Sequence, residues 1–184
     1  MIGQQLQEII DLIEQKNAIH AKKIRKNLLG VNDLFHEKSD KFLTKYKSLI
    51  NAQGQDLNYS IDCYLNMVHD MMYEQIRFME SGTYSCSSSE EANERVYSNP
   101  DVMEYYMHGL LISQFLFKHH YQMFEFFLEK FQENCSNVKS YLEVGAGHGL
   151  FLDEAISMMS DEAKIDVVDI SQTSIDLTKL FIDD

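Results

Sequence analysis

Hydrophobic side chains in the first 135 residues recur with helical spacing. Near the N-terminus they return every three or four residues, which places them on one stripe of a helix: Ile2, Leu6, Ile9, Ile10 and Ile13. A Gly-Val-Asn-Asp break at 30–33 ends this pattern, and a weaker helical pattern follows over about 34–50. A polar loop at 51–58 precedes a third predicted helix, whose broad apolar face extends from Ile61 to Met79.

The rest of this region contains a loop and a long apolar helix. Serines and a glycine at 81–90 predict the loop, and Pro100 opens the next helix after two good capping residues. From Val102 to about Phe131 the pattern is apolar nearly all round. We therefore predict a buried helix there, with a kink near Gly109 because glycine weakens a helix interior.

Methionine and tyrosine are concentrated at 71–73 and 105–107. Both are pliable or amphipathic packing residues. We interpret these positions as core, and a substrate pocket is the alternative.

The pattern changes at about residue 136. Apolar runs at 140–144 and 165–168, separated by a glycine-rich turn and a helical period, predict a strand, a helix and a second buried strand. Ser171 can cap a further helix. This order is typical of a parallel α/β sheet. We predict an α/β fold, with a helical domain over 1–135 and the first βαβα of a Rossmann-like parallel sheet, incomplete, over 136–184.

Composition restricts the classes of protein. The formal net charge of −13 would repel a phosphate backbone, which argues against nucleic acid as a partner. No apolar run is long enough for a membrane helix, and the N-terminus has acidic residues and no secretory signal. We therefore expect a cytoplasmic protein with no membrane partner. Three separated cysteines fit a reducing compartment and no metal-ligand spacing.

The turn after the first predicted strand carries candidate chemistry. It reads Glu-Val-Gly-Ala-Gly-His-Gly, from Glu143 to Gly149. Alternate glycines allow positive φ and a close backbone approach to a ligand, and the helix that follows offers unpaired N–H groups. Asp169 follows the second strand, where a carboxylate can accept hydrogen bonds from ribose hydroxyls. The dinucleotide fingerprint would need a glycine at position 150 or 152, and both are leucine, so we expect no nicotinamide or flavin cofactor.

This turn, with Asp169 twenty residues after Gly149, resembles motif I and the second-strand acidic residue of class I S-adenosylmethionine-dependent methyltransferases. The resemblance covers 140–184 and implies S-adenosylmethionine as the cofactor. It implies that Glu143 lies near the cofactor's amino group and that Asp169 holds the ribose. The cofactor-binding residues that it implies are Glu143, Gly145, Ala146, Gly147, Gly149, Asp169 and Ile170. The alternative is a structural glycine turn with a chance aspartate.

The implied reaction transfers a methyl group to a small-molecule substrate, and we expect an apolar or aromatic acceptor. The protein mainly positions the reactants in such a displacement and sometimes supplies a base. The candidate bases are His108 and His119, which are eleven residues apart and therefore expected on the same side of one helix. The alternative for each is an ordinary core or surface histidine, and we expect no metal site. The N-terminal helices resemble in layout those of small-molecule methyltransferases, where such helices form a lid or a homodimer interface.

Two parallel strands cannot cover the faces of such a sheet, so the pattern predicts that strands are missing. We favour a fragment of a longer protein, and half of an enzyme completed by another chain is a second interpretation. The third interpretation is a different function: a non-catalytic helical interaction or dimerisation module with an incomplete nucleotide-binding turn. Unpaired strand edges at Val144 and Val168 would favour aggregation or domain swapping.

Overall fold

The N-terminal hydrophobic pattern forms two helices. The computed structural model describes residues 3–182, so Ile2 of the predicted stripe lies outside them. The two helices are α1, Gln4–Lys16, and α2, Ala18–Asn27. Asn17 lies between them, and its side chain accepts a hydrogen bond from the N–H of His20 at 3.0 Å, which caps α2. The predicted break before residue 33 is confirmed, but the single helix expected ahead of it is wrong.

The next two helices confirm the sequence pattern. They are α3, Asp33–Ala52, and α4, Leu57–Ser81. The side chain of Asn32 caps α3 by accepting from the N–H of Phe35 at 2.8 Å. Asp56 caps α4 in the same way, through the N–H of Tyr59 at 2.9 Å. Caps of this kind satisfy N–H groups that have no partner inside the helix.

The last turns of α4 lie on the surface. Met71, Met72 and Tyr73 are all exposed, so their interpretation as core is wrong. Along 105–107 the two tyrosines are half-buried and Met107 is buried. Exposed methionines and tyrosines beside half-buried ones are a surface that can line a pocket.

Two helices replace the single helix predicted from Val102 to Phe131. A short helix α5, Ser89–Ala92, and a π-helical turn, Asn93–Tyr97, come first. They are followed by α6, Pro100–Ser113, and α7, Lys118–Asn134. The hydroxyl of Ser113 donates to the carbonyl of Leu110 at 2.6 Å, and the amide of Gln114 donates to the same oxygen at 3.3 Å. These side chains compete with the backbone for that carbonyl, and the N–H of Gln114 bonds instead to the carbonyl of Leu111 at 3.3 Å, where α6 ends.

Gly109 lies inside α6 without interrupting it. A Cβ at this position would be 2.9 Å from the Cβ of Met67 and 3.0 Å from the carbonyl oxygen of Cys63, both in α4. Glycine therefore allows α6 and α4 to pack closely, and the kink near Gly109 stays a prediction.

The C-terminal part contains a parallel pair of strands. Its elements are β1, Ser140–Val144, α8, Leu150–Met158, β2, Lys164–Val168, and α9, Gln172–Ile182. The strands pair in parallel from Ser140 opposite Lys164 to Val144 opposite Val168. The predicted order of strands and helices is confirmed, and a mostly helical chain with a small parallel sheet is consistent with the α/β class.

One face of this sheet is exposed. Leu142, Val144 and Val168 share that face and are 60%, 75% and 55% exposed. The opposite face is half-buried through Tyr141 and Glu143. The prediction of buried strands therefore holds for one face only.

The hydrophobic core crosses the predicted domain boundary at 135/136. The rings of Phe42 and Phe181 lie 6.1 Å apart within it. At its edge the Lys38 ammonium is 2.7 Å from the buried carboxylate of Glu154. The division into two domains stays a prediction. Between residues 3 and 182, no helix combines the length and the apolar character that crossing a membrane requires.

Candidate functional site

The glycine turn has the backbone conformation that its sequence predicts. Gly145, Gly147 and Gly149 have φ values of 77°, 58° and 80°, a region that side chains other than glycine rarely adopt. The N–H of Gly145 donates to the carbonyl of Val168 at 2.7 Å. The turn therefore begins at the carboxyl ends of both strands, where α/β sheets bind ligands.

The last glycine of the turn serves packing. A Cβ on Gly149 would be 3.0 Å from the Cα of Thr178 in α9. The Thr178 hydroxyl donates to the carbonyl of Gly147 at 3.2 Å. Gly149 therefore lets the start of α8 approach α9, and it does not line the cavity between the turn and helices α6 and α7.

A cavity of about 430 Å³ lies between the turn and helices α6 and α7. We call it the glycine-turn cavity. The turn and β1 contribute Tyr141, Glu143, Gly145, Ala146, Gly147 and His148. Helices α6 and α7, with the residue that follows α6, contribute Leu110, Gln114, His120, Met123 and Phe127, and α8 contributes Phe151. Five residues of the predicted turn, Glu143 and Gly145 to His148, thus share one apolar-walled cavity, a common form of small-molecule site.

Glu143 is half-buried in this cavity, and its Oε2 accepts a hydrogen bond from the Tyr141 hydroxyl. Burial raises the pKa of Glu143, and the bond from Tyr141 opposes that rise. The pKa of Tyr141 is also raised, first by burial and then by Glu143. A carboxylate held partly out of water attracts a cationic group more strongly than an exposed carboxylate does.

Two uncharged histidines face the same cavity. Burial lowers the pKa of His148 to about 4, with a smaller contribution from His120. Burial also lowers the pKa of His120 to about 4, with a smaller contribution from His119. Both rings are neutral at pH 7. Among the lining residues, all of which lie in the described part of the chain, Glu143 is the one that carries a charge there.

Asp169 lies beside the turn, and both oxygens of its carboxylate accept hydrogen bonds from backbone N–H groups. Its Oδ2 accepts from the N–H of Gly147 at 3.0 Å, and its Oδ1 accepts from the N–H of Ser171 at 2.8 Å. Ser171 in turn caps α9 as predicted, because its hydroxyl accepts from the N–H of Ser174 at 3.3 Å. Neither Asp169 nor the exposed Ile170 lines the cavity. Their roles at a cofactor stay predictions.

The two candidate bases lie outside the glycine-turn cavity. They belong to different helices, α6 and α7, so the expectation of one shared helix face is wrong. His108 is buried, and its Nδ1 is 2.8 Å from the Tyr46 hydroxyl. His119 is exposed and stacks on Phe117.

Sequence reasoning missed His120 and Gln114, which do line the cavity. The His-His pair at 119–120 was the available signal, but helical position could not be assigned while the break after Ser113 was unknown. Ser113 also fixes the His120 ring, since its hydroxyl lies 2.8 Å from Nδ1.

Within residues 3–182 no group of three or more His, Cys, Asp or Glu side chains is arranged to hold a metal ion. Comparison of the chain with protein-family models, with curated proteins and with solved structures found no match.

Proposed function

We propose that the glycine-turn cavity binds S-adenosylmethionine and that the protein transfers its methyl group to a small molecule. In this proposal the two strands are the start of a Rossmann-like sheet. The observation that carries it is the meeting of Glu143, the Gly145–Gly147 backbone and aromatic walls in one cavity of about 430 Å³. That volume lies in the range of about 300–1,000 Å³ typical of small-molecule sites.

The charges of the cavity support this ligand. Glu143 would attract the cofactor's ammonium group, and neutral His120 and His148 would not repel its sulfonium. A pyrophosphate would be repelled by the same carboxylate. Each oxygen of Asp169 has one bond from a backbone N–H and retains a lone pair that can accept from a ribose hydroxyl.

The side chains of the cavity would act by positioning. Bound S-adenosylmethionine supplies an electrophilic methyl group on a sulfonium sulfur. Gly145 and Gly147 let the backbone approach the ligand closely, and Phe127 and Phe151 exclude water from one wall. Holding the acceptor in line with the methyl group would provide most of the rate enhancement.

The test is calorimetric titration with S-adenosylhomocysteine and S-adenosylmethionine. Glu143→Gln removes the charge but leaves the turn's backbone bonds intact, whereas an Asp169 variant would break two of them. We expect Glu143→Gln to lower the affinity for both ligands roughly tenfold, which is about 1.4 kcal/mol of binding free energy. Glu162→Gln, on the exposed turn before β2, is the matched control and should bind normally. No heat from a folded wild-type chain, or equal binding by both variants, would contradict the proposal.

The helical interaction module remains a second candidate because of one observation. Met72, Ile76 and Met79 are exposed along the end of α4, at 55%, 52% and 77%. An apolar row of this kind is typical of an interaction surface. A chain that ignores S-adenosylhomocysteine but changes its oligomeric state on Ile76→Lys would favour this function over methyl transfer.

A further inference from the structure

A second cavity, of about 460 Å³, lies between α4, the segment 85–97 and the start of α6. We call it the tyrosine–methionine cavity. Six of its lining residues give it its character: Met71, Tyr73, Tyr97, Met103, Tyr105 and Tyr106. Aromatic faces and thioethers at this density suit a flat aromatic ligand.

Helix α6 connects the two cavities. Met103, Met107, Leu110 and Gln114 recur at the spacing of one helical stripe. The first two line the tyrosine–methionine cavity and the last two line the glycine-turn cavity. The sulfur of Met107 is 3.6 Å from the point where a Cβ on Gly147 would lie, so Met107, which lines the tyrosine–methionine cavity, also approaches the glycine turn. From Met107 to Leu110 the helix rises only about 4.5 Å.

The charged side chains that line this cavity are mostly negative, with Asp70 and Glu74 against Arg95. Asp70 accepts a hydrogen bond from the Tyr105 hydroxyl, and Glu74 accepts from the N–H of Ser85 at 3.0 Å. Burial, together with Asp70, raises the pKa of Tyr105 to about 12, so this hydroxyl remains a donor. The cavity also contains Arg95, but its guanidinium is 2.8 Å from the Glu91 carboxylate. Carboxylates beside tyrosine faces are the usual environment for a bound organic cation.

We propose that the tyrosine–methionine cavity binds an aromatic amine, with its ammonium at Asp70 and its ring pointing toward Met107. Its role as the methyl acceptor rests on the proposed function. In that role a phenolic oxygen at the ring end forms the new bond to the methyl carbon. The carbon–sulfur bond breaks with its electron pair left on sulfur, and the phenolic proton goes to water.

The probe is tyramine, compared with 4-(2-hydroxyethyl)phenol and 3-(4-hydroxyphenyl)propionate, which carry a neutral and an anionic group in place of the amine. Binding is measured by saturation-transfer NMR and calorimetry. We expect tyramine to bind at least tenfold more tightly than either analogue. Tyr73→Ala and Asp70→Asn should each lower the affinity for tyramine by about tenfold.

Matched controls separate the cavity from the rest of the surface. Tyr84 is as exposed as Tyr73 but lies outside this cavity, stacked on Phe78. Tyr84→Ala, and Asp161→Asn on the exposed turn before β2 and outside this cavity, should leave tyramine binding unchanged. The proposal is overturned if tyramine does not bind, if it binds no better than its analogues, or if the control variants weaken it equally.

Titration of the same samples with S-adenosylhomocysteine keeps the two proposals apart. If the protein binds S-adenosylhomocysteine but not tyramine, the amine-site proposal is wrong and the cofactor proposal is still supported. Tyramine binding without cofactor binding supports the amine site and removes its acceptor role.

Discussion

At the scale of single residues, burial decides which groups of the glycine-turn cavity are charged. Glu143 has a raised pKa, and His120 and His148 have lowered ones, each mainly because burial disfavours the charged form. Above about pH 5 both histidine rings are therefore neutral, and they face an ionised Glu143 once the pH exceeds its raised pKa. Acidification would place positive charge on rings that the fold keeps out of water.

The first prediction concerns stability at low pH. In the unfolded chain His148 binds a proton below about pH 6.5, whereas in the folded protein it does so only near pH 4. Protonation therefore favours the unfolded chain, and the free energy of unfolding decreases as the pH falls from about 7 to 4. For His148 the loss at pH 5 is on the order of 2 kcal/mol. His148→Gln retains an acceptor for the N–H of Leu150 and cannot titrate. Urea unfolding at pH 7.5 and pH 5 should show a smaller difference for this variant.

The control for this prediction is His69→Gln, because His69 is 80% exposed. It should retain the wild-type difference between the two pH values. An unchanged pH dependence in His148→Gln would show that His148 does not resist protonation in the folded protein.

The position of Asp169 illustrates what sequence predicts at this scale. Its place at the end of β2 followed from the alternation of strand and helix. Its bonds to the N–H groups of Gly147 and Ser171 did not, because they depend on how the turn folds back toward β2. The motif thus predicted the turn and the position of Asp169 along the chain, whereas the folded backbone decides which of these residues line the cavity and which of their atoms remain available.

At the scale of helices and strands, apolar spacing and capping residues predicted most of the elements. They failed where side chains compete with the backbone, as Ser113 and Gln114 do at the end of α6. The apolar pattern continues through that break, so the sequence could not reveal it. Because one continuous helix was predicted over 102–131, His119 was expected on the same side as His108, and no role was predicted for His120, which lines the glycine-turn cavity.

The second prediction concerns the contact of α6 with α4. At a solvent-exposed position inside a helix, replacing glycine by alanine stabilises the folded protein by about 1 kcal/mol. In Gly109→Ala the new Cβ would be 2.9 Å from Met67, and overpacking of this kind costs about 1–3 kcal/mol. We expect a net loss of up to about 2 kcal/mol in urea unfolding. Ser48→Ala, on the exposed side of α3, is the control and should be neutral or slightly stabilising. A more stable Gly109→Ala would mean that the helices do not pack this closely.

At the scale of the whole molecule, one core joins segments that the sequence assigned to separate domains. Phe181 of α9 packs against Phe42 of α3, and Lys45 of α3 pairs with Asp153 of α8 at 2.9 Å. Composition changes abruptly near residue 136, but a change in pattern reports the type of element and not where its side chains pack. The glycine-turn cavity likewise forms only when α6 and α7 lie beside the glycine turn, which no local pattern contains.

The third prediction concerns the exposed face of the sheet, where Leu142, Val144 and Val168 form an apolar surface next to strand edges. Such a surface favours association between chains. We expect sedimentation velocity to show concentration-dependent association that the double variant Leu142→Lys, Val168→Lys reduces. The matched control is Ile19→Lys with Leu29→Lys, which removes similarly exposed apolar side chains from the α2 region. If the control reduces association equally, general surface hydrophobicity is the cause. A wild-type chain that stays monomeric at every concentration would show that this face does not drive association.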